Sequence, residues 1–210
     1  MDNLELAAQA AVACWLGSEG RNAAAIRGSE SLNAEILGRF LNAWMLARGN
    51  PLSRRNELVS FVNRRVLPAL REIHNASEEG YLVIEKLSDL SVIEQATRGR
   101  PTSMLSKLAH AVHPEIFVPY DHRVRKALRE IDKGVRAHRY RDYMAAVLSE
   151  KPGFVQELKR RRLSAESLKA KDMSQPLFEM RALDKWLMLC GGFSPTRMER
   201  DVAKGLVSAK

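Results

Sequence analysis

Apolar residues recur at the three- and four-residue spacing of a single helix face along nearly the whole chain. Nowhere do apolar and polar residues alternate as a half-buried strand requires. This pattern restricts the 210 residues to packed helices. Leu4 to Leu16 is alanine-rich without a β-branched run, Gly17, Gly20 and Gly28 punctuate a loop, and a second periodic segment runs from about Leu32 to Ala47. Asn50-Pro51 reads as an N-cap with proline at the first helical position. Leu58, Phe61, Val62, Val66, Leu67 and Leu70 then recur at helical spacing toward His74. Further helices are predicted near 77–96, 102–113, 122–132, 137–150, 153–170, 176–190 and 195–207. Their breaks fall at Gly99-Arg100-Pro101, His113-Pro114, Lys151-Pro152-Gly153 and Gly191-Gly192. The one extended stretch, Ile116 to Tyr120, is too short and too proline-bounded for a sheet. With no internal repeat or low-complexity linker, the reading is one all-α domain over 1–210, built as a single bundle or as two lobes.

Composition narrows the setting. Apolar residues make up 45% and charged residues 28% of the chain, the proportions of an ordinary globular protein. No stretch approaches the roughly 18 uninterrupted apolar residues of a membrane span, and Met1-Asp2-Asn3-Leu4-Glu5 lacks the basic start of a leader. A cytoplasmic monomer with no membrane partner is therefore expected. Cys14 and Cys190, both in apolar helical runs, read as reduced core thiols and are too few for a cysteine zinc site; neither metal nor cofactor is expected. The net charge of +9 is unevenly placed: residues 98–171 hold 18 Lys/Arg against 8 Asp/Glu, leaving 16 against 17 elsewhere. A localised basic region is the footprint of a polyanion partner, which favours nucleic acid over the alternative of a merely solubilising surface.

Within that region, Arg98-Gly99-Arg100-Pro101 precedes a helix starting at Thr102, and Asp121 opens another helix after a short connector. In the first of these, Met104, Leu105, Leu108, Ala109 and Val112 share one face. Ser103, Lys107 and His110 form a polar stripe predicted to face away from the core. The free backbone N–H groups at the helix start, beside Arg98 and Arg100, suit a DNA phosphate.

The order of helix, glycine turn, helix, connector and Asp121-His122-Arg123-Val124 resembles the helix-hairpin-helix DNA glycosylase superfamily. Ser106-Lys107-Leu108, His113-Pro114-Glu115, Pro119-Tyr120-Asp121-His122-Arg123-Val124 and Arg181-Ala182-Leu183-Asp184-Lys185-Trp186-Leu187 are similar to a bacterial family described as 8-oxoguanine DNA glycosylase-like. The resemblance covers about 98–128 and 180–192. It implies a glycosylase-like helical bundle whose hairpin and catalytic segment span about 81–132, a hairpin that binds DNA phosphates, and an aspartate that serves the glycosidic chemistry. Two departures stand out. Only Gly99 is present where the hairpin usually carries two glycines, and the position of the Schiff-base lysine falls at Ser103, one helical turn before Lys107.

Breaking an N-glycosidic bond makes the sugar oxocarbenium-like, so a carboxylate beneath it stabilises the developing charge. Asp121 suits that role and also reads as the N-cap of the 122–132 helix. Lys107 reads either as an amine nucleophile giving lyase activity or as a solvated, phosphate-bound cation. A flipped base needs stacking walls, for which Tyr120, Phe117, Trp186 and Trp44 are the candidates, Trp186 sitting in a run that also reads as core. Candidate DNA contacts are Arg98, Gly99, Arg100, Ser103, Ser106, His110, His122, Arg123, Arg125 and Lys126, followed by Arg129. Lys159 to Arg162 cannot all share one helix face, and Asp184 and Lys185 are expected to face outward as secondary pocket residues. The resulting expectation is base excision from damaged or modified DNA, in repair or in defence against foreign base-modified DNA. The alternative is a non-enzymatic helical DNA- or RNA-binding module on the same scaffold.

Overall fold

The computed structural model describes residues 2–46, 55–97, 100–132 and 139–208, and among these it contains helices and turns with no strand. The protein is all-α. No described helix is long and apolar enough to cross a membrane. The chain divides into two compact units, one formed by Met1–Arg21 with Tyr120–Lys210 and the other by Asn22–Pro119.

In the first unit, α1 (Asn3–Cys14) runs through a π-helical turn, Trp15–Glu19, into α2 (Gly20–Arg27), which continues into the second unit. Asp2 starts α1, its Oδ1 accepting the N–H groups of Leu4 and Glu5 at 3.0 Å each. A cap of this kind contributes about 1 kcal/mol. Small side chains let α1 bury almost every face: Leu6, Ala7, Ala10 and Ala13 pack with Leu189, Phe193, Met198 and Val202. These partners come from α10 (Gln175–Cys190), α11 (Pro195–Ser208) and the loop between them. At Gly205 on α11 an added Cβ would stand 2.3 Å from the Ala13 carbonyl oxygen, so glycine is what allows this close approach. α8 (His122–Ile131) and α9 (Tyr140–Arg160) complete the unit.

Two predicted breaks are absent. The stretch expected as a loop between Gly17 and Gly28 is helical as far as Arg27, because Ala23 and Ile26 are apolar residues that it buries. Only Gly17 leaves helical geometry, at φ −72° and ψ −105°. Likewise α9 runs straight through Lys151-Pro152-Gly153 and ends at Arg160 instead of reaching 170. Pro152 forfeits one backbone hydrogen bond, but Tyr143, Met144, Val147, Phe154 and Leu158 form a buried stripe on both sides of it that only an unbroken helix aligns. Gly153 is exposed, and a Cβ added there would meet nothing within 4 Å. Gly153→Ala is therefore expected to raise stability by about 0.5–1 kcal/mol, read as a higher urea midpoint with an unchanged slope.

The second unit contains α3 (Ala34–Ala43), α4 (Arg55–Phe61), a π-helical turn Val62–Val66, α5 (Leu67–Arg71), α6 (Glu78–Ile93) and α7 (Thr102–Val112). The Asn50-Pro51 start lies outside the described residues. Leu37, Phe40, Phe61, Val66, Leu70, Ile84, Leu105 and Leu108 are fully buried. Asn63 fixes the lead-in to α3 by bonding both the N–H (2.7 Å) and the carbonyl (2.8 Å) of Leu32. The α6–α7 turn is tied by Ser88 to Thr102 (3.2 Å), Ser91 to Thr97 (3.0 Å) and the ion pair of Arg100 with Asp89 (2.8 Å).

Candidate active site

In the first unit, α8 carries the sequence His122-Arg123-Val124-Arg125-Lys126-Ala127-Leu128-Arg129. Val124, Ala127 and Leu128 are buried, while His122, Lys126 and Arg129 are exposed and Arg123 and Arg125 half-buried. Asp121 precedes it in extended backbone (φ −122°, ψ 142°), and its Oδ1 accepts the Arg123 N–H at 2.8 Å. The cap leaves its side chain 24% exposed, so the carboxylate both starts the helix and meets solvent. His122 Nδ1 stands 3.8 Å from it. The end of α10 clamps this helix start: a Cβ on Gly191 would fall 1.9 Å from the Arg123 carbonyl oxygen, closer than any side chain permits.

Three tyrosines lie next to this segment. Tyr120 packs edge-on to Tyr143 (ring centroids 5.0 Å) and Tyr140 (6.1 Å), and Tyr140 stacks on Tyr143 at 5.9 Å. The Arg125 guanidinium lies 4.8 Å over the Tyr120 ring and donates to its hydroxyl at 3.3 Å. Tyr140 and Tyr143 are fully buried, whereas Tyr120 is partly open. Burial holds the Tyr143 hydroxyl well above the ordinary tyrosine value, and the charges of Asp184 and Asp121 add to this, opposed by the Asp121 N–H.

Asp184 belongs to a buried charge network, contrary to the outward orientation expected of Asp184 and Lys185. Arg181 is 1% and Asp184 2% exposed. One Arg181 nitrogen reaches both Glu19 oxygens at 2.6 Å and another donates to Asp184 Oδ2 at 2.7 Å. Lys185 Nζ lies 3.5 Å from Glu19. With opposite charges at hand, α10 buries its polar face as well as its apolar one. Burial disfavours the Arg181 charge, but Glu19 and Asp184 outweigh it and hold the guanidinium above its ordinary value. Burial raises the Asp184 carboxyl against the pull of Arg181 and Lys185, with Asp121 and Glu19 adding to the rise. Its Oδ1 is buried with no hydrogen-bond partner among the described residues. The Arg-x-x-Asp-Lys spacing inside an apolar run is the sequence signal of this network.

The second unit corrects the predicted polar stripe of α7. Ser103 and Lys107 are half-buried, but His110 is 1% exposed, its Nδ1 2.8 Å from the Phe117 carbonyl and its ring edge-on to Trp44. The returning connector supplies the carbonyl that pulls the imidazole inward. Ser106 is also buried, donating to the Ser103 carbonyl at 3.1 Å. Lys107 bonds Ser103 Oγ at 3.2 Å, with its ammonium 5.6 Å from the Trp44 ring centre. Phe117 is fully buried edge-on to Tyr81, so its ring belongs to the core and leaves no face for a base. Trp186, back in the first unit, tilts against Phe154 at 5.5 Å. Together they line a surface cavity of about 430 Å³ with Asp2, Glu150 and Glu157, and no α8 residue lines it. Arg98 and Gly99 lie outside the described residues. Among the described residues no three His, Cys, Asp or Glu side chains gather as metal ligands. The first unit therefore brings together Asp121, Tyr120, His122, Arg123, Arg125 and Lys126 from the predicted set, and the sequence reading missed Tyr143 and the Glu19–Arg181–Asp184 network. No family model, curated protein or solved structure matches the chain.

Proposed function

We propose that this protein is a DNA glycosylase that flips a damaged or modified base out of double-stranded DNA and hydrolyses its N-glycosidic bond. The observation that carries the reading is a part-exposed carboxylate, Asp121, fixed at the start of a basic helix beside Tyr120, whose ring packs on the buried Tyr143. The anionic charge faces the sugar as it turns oxocarbenium-like. Arg123, Arg125 and Lys126 on the first turns attract the flanking phosphates, and the partly open Tyr120 ring beside Asp121 offers a stacking wall.

Lys107 is not the nucleophile in this reading. Its Nζ bonds Ser103 Oγ at 3.2 Å and lies 5.6 Å from the Trp44 ring centre, contacts that attack on the sugar would have to break. Borohydride added during turnover is therefore expected to trap no protein–DNA adduct, and an adduct lost in Lys107→Ala would bring the lysine into the chemistry.

The function is tested with duplexes carrying damaged, deaminated or hypermodified bases, saturated with protein and then treated with alkali. Abasic sites left by a glycosylase become strand breaks at the modified position. Duplexes that are bound but stay intact under alkali favour the non-enzymatic DNA-binding module.

A further inference from the structure

The loop joining α10 to α11 presses against the first turn of α8, and cations from both sides collect there. Phe193, 9% exposed, is the platform. The guanidinium carbon of Arg123 lies 5.0 Å from its ring centre and that of Arg197, from the first turn of α11, lies 5.6 Å away. Lys126 Nζ would stand 3.6 Å from a Cβ added at Gly192, whose φ of +89° needs glycine. Neither guanidinium has a hydrogen-bond or ion-pair partner among the described residues, and the one carboxylate engaging the group, Glu130, meets Lys126 at 3.7 Å in an exposed pair. Three other arginines in this unit are paired with acids, Arg160 and Arg161 with Glu157 and Arg181 with Glu19 and Asp184.

An uncompensated pair of arginines costs Coulomb energy in the free protein and regains it against an anion. Both guanidinium groups lie over an aromatic ring that limits their freedom, so less entropy is lost when the planar forks engage an oxyanion. The Gly191 clamp sets the backbone of Arg123 against the end of α10. The pair is thus preorganised across three elements.

We infer that Arg123 and Arg197, braced on Phe193, form a backbone-phosphate site that extends the DNA track from α8 onto α11. This rests on the DNA reading above, but it concerns binding and is independent of base release. Arg197 stands far from the basic region that sequence reading singled out, and only the fold brings it to α8.

The test is affinity for an undamaged duplex measured across a salt series for wild type, Arg197→Gln and Arg39→Gln. Arg39 is another exposed arginine, on α3 and paired with Glu35. Losing one phosphate contact should reduce the slope of log affinity against log salt by about 0.9 in Arg197→Gln and leave it unchanged in Arg39→Gln, with both variants melting like wild type. Equal slopes for Arg197→Gln and wild type would overturn the site, as would a wild type that binds no duplex. A wild type that binds duplex with the predicted slope change but releases no base would leave the site standing and remove the glycosylase.

Discussion

Asp121→Asn is expected to slow base release by about 10²- to 10⁴-fold while leaving melting temperature and duplex affinity close to wild type. The separation follows from the two tasks of one side chain. As an N-cap, Asp121 accepts the Arg123 N–H through Oδ1, and asparagine supplies the same amide oxygen at almost no cost in helix stability. As the group facing the sugar it contributes a full negative charge, which asparagine lacks. Removing that charge also relieves the repulsion that Asp121 exerts on Asp184, so no loss of stability is expected from that side. Single-turnover release from a saturated duplex, run beside a thermal melt and a binding titration, checks the three quantities together. A variant that melts well below wild type would place Asp121 in the structure alone.

Arg181→Met is expected to lower the free energy of unfolding by about 3–5 kcal/mol, a large part of the roughly 5–15 kcal/mol that holds a domain together. Arg181 is 1% exposed and supplies the hydrogen bonds to both Glu19 oxygens and to Asp184 Oδ2. Methionine fits the volume but leaves two carboxylates facing each other away from water, with Lys185 near Glu19 as the remaining cation. The cost comes from that unpaired charge more than from the lost bonds. The quadruple variant Glu19→Gln, Arg181→Met, Asp184→Asn, Lys185→Met removes the whole charge set and should therefore lose less than Arg181→Met alone. Urea midpoints at constant slope distinguish the two, and a single variant as stable as wild type would show that the network contributes nothing.

Helical class, the cap at Asp121 and the course of α7 and α8 are legible in the sequence because they depend on local spacing, whereas the cap at Asp2 emerges only in the structure. The errors arise where distant partners decide. Pro152 and the Gly17 to Gly28 stretch are local helix breakers, overridden where the continuing helix buries apolar side chains, Phe154 and Leu158 beyond the proline and Ala23 and Ile26 beyond Gly20. His110 reads as polar surface until the Phe117 carbonyl returns to meet it. Asp184 and Lys185 read as outward until Glu19, more than 160 positions away, draws in Arg181 and Lys185 and Arg181 in turn pairs with Asp184. At the candidate site, Asp121 and its basic neighbours are contiguous in sequence and visible. Tyr143 and Arg197 have no local signature, since one is an aromatic in an ordinary amphipathic helix and the other an arginine among many.

The central claim is cleavage of a glycosidic bond at Asp121. Mass spectrometry of the small-molecule fraction, after wild type or Asp121→Asn has been held on the same panel of modified duplexes, tests it most directly. A free base released by wild type and lost in Asp121→Asn is the predicted result. No free base from any duplex that wild type binds, or equal release by both proteins, would contradict it.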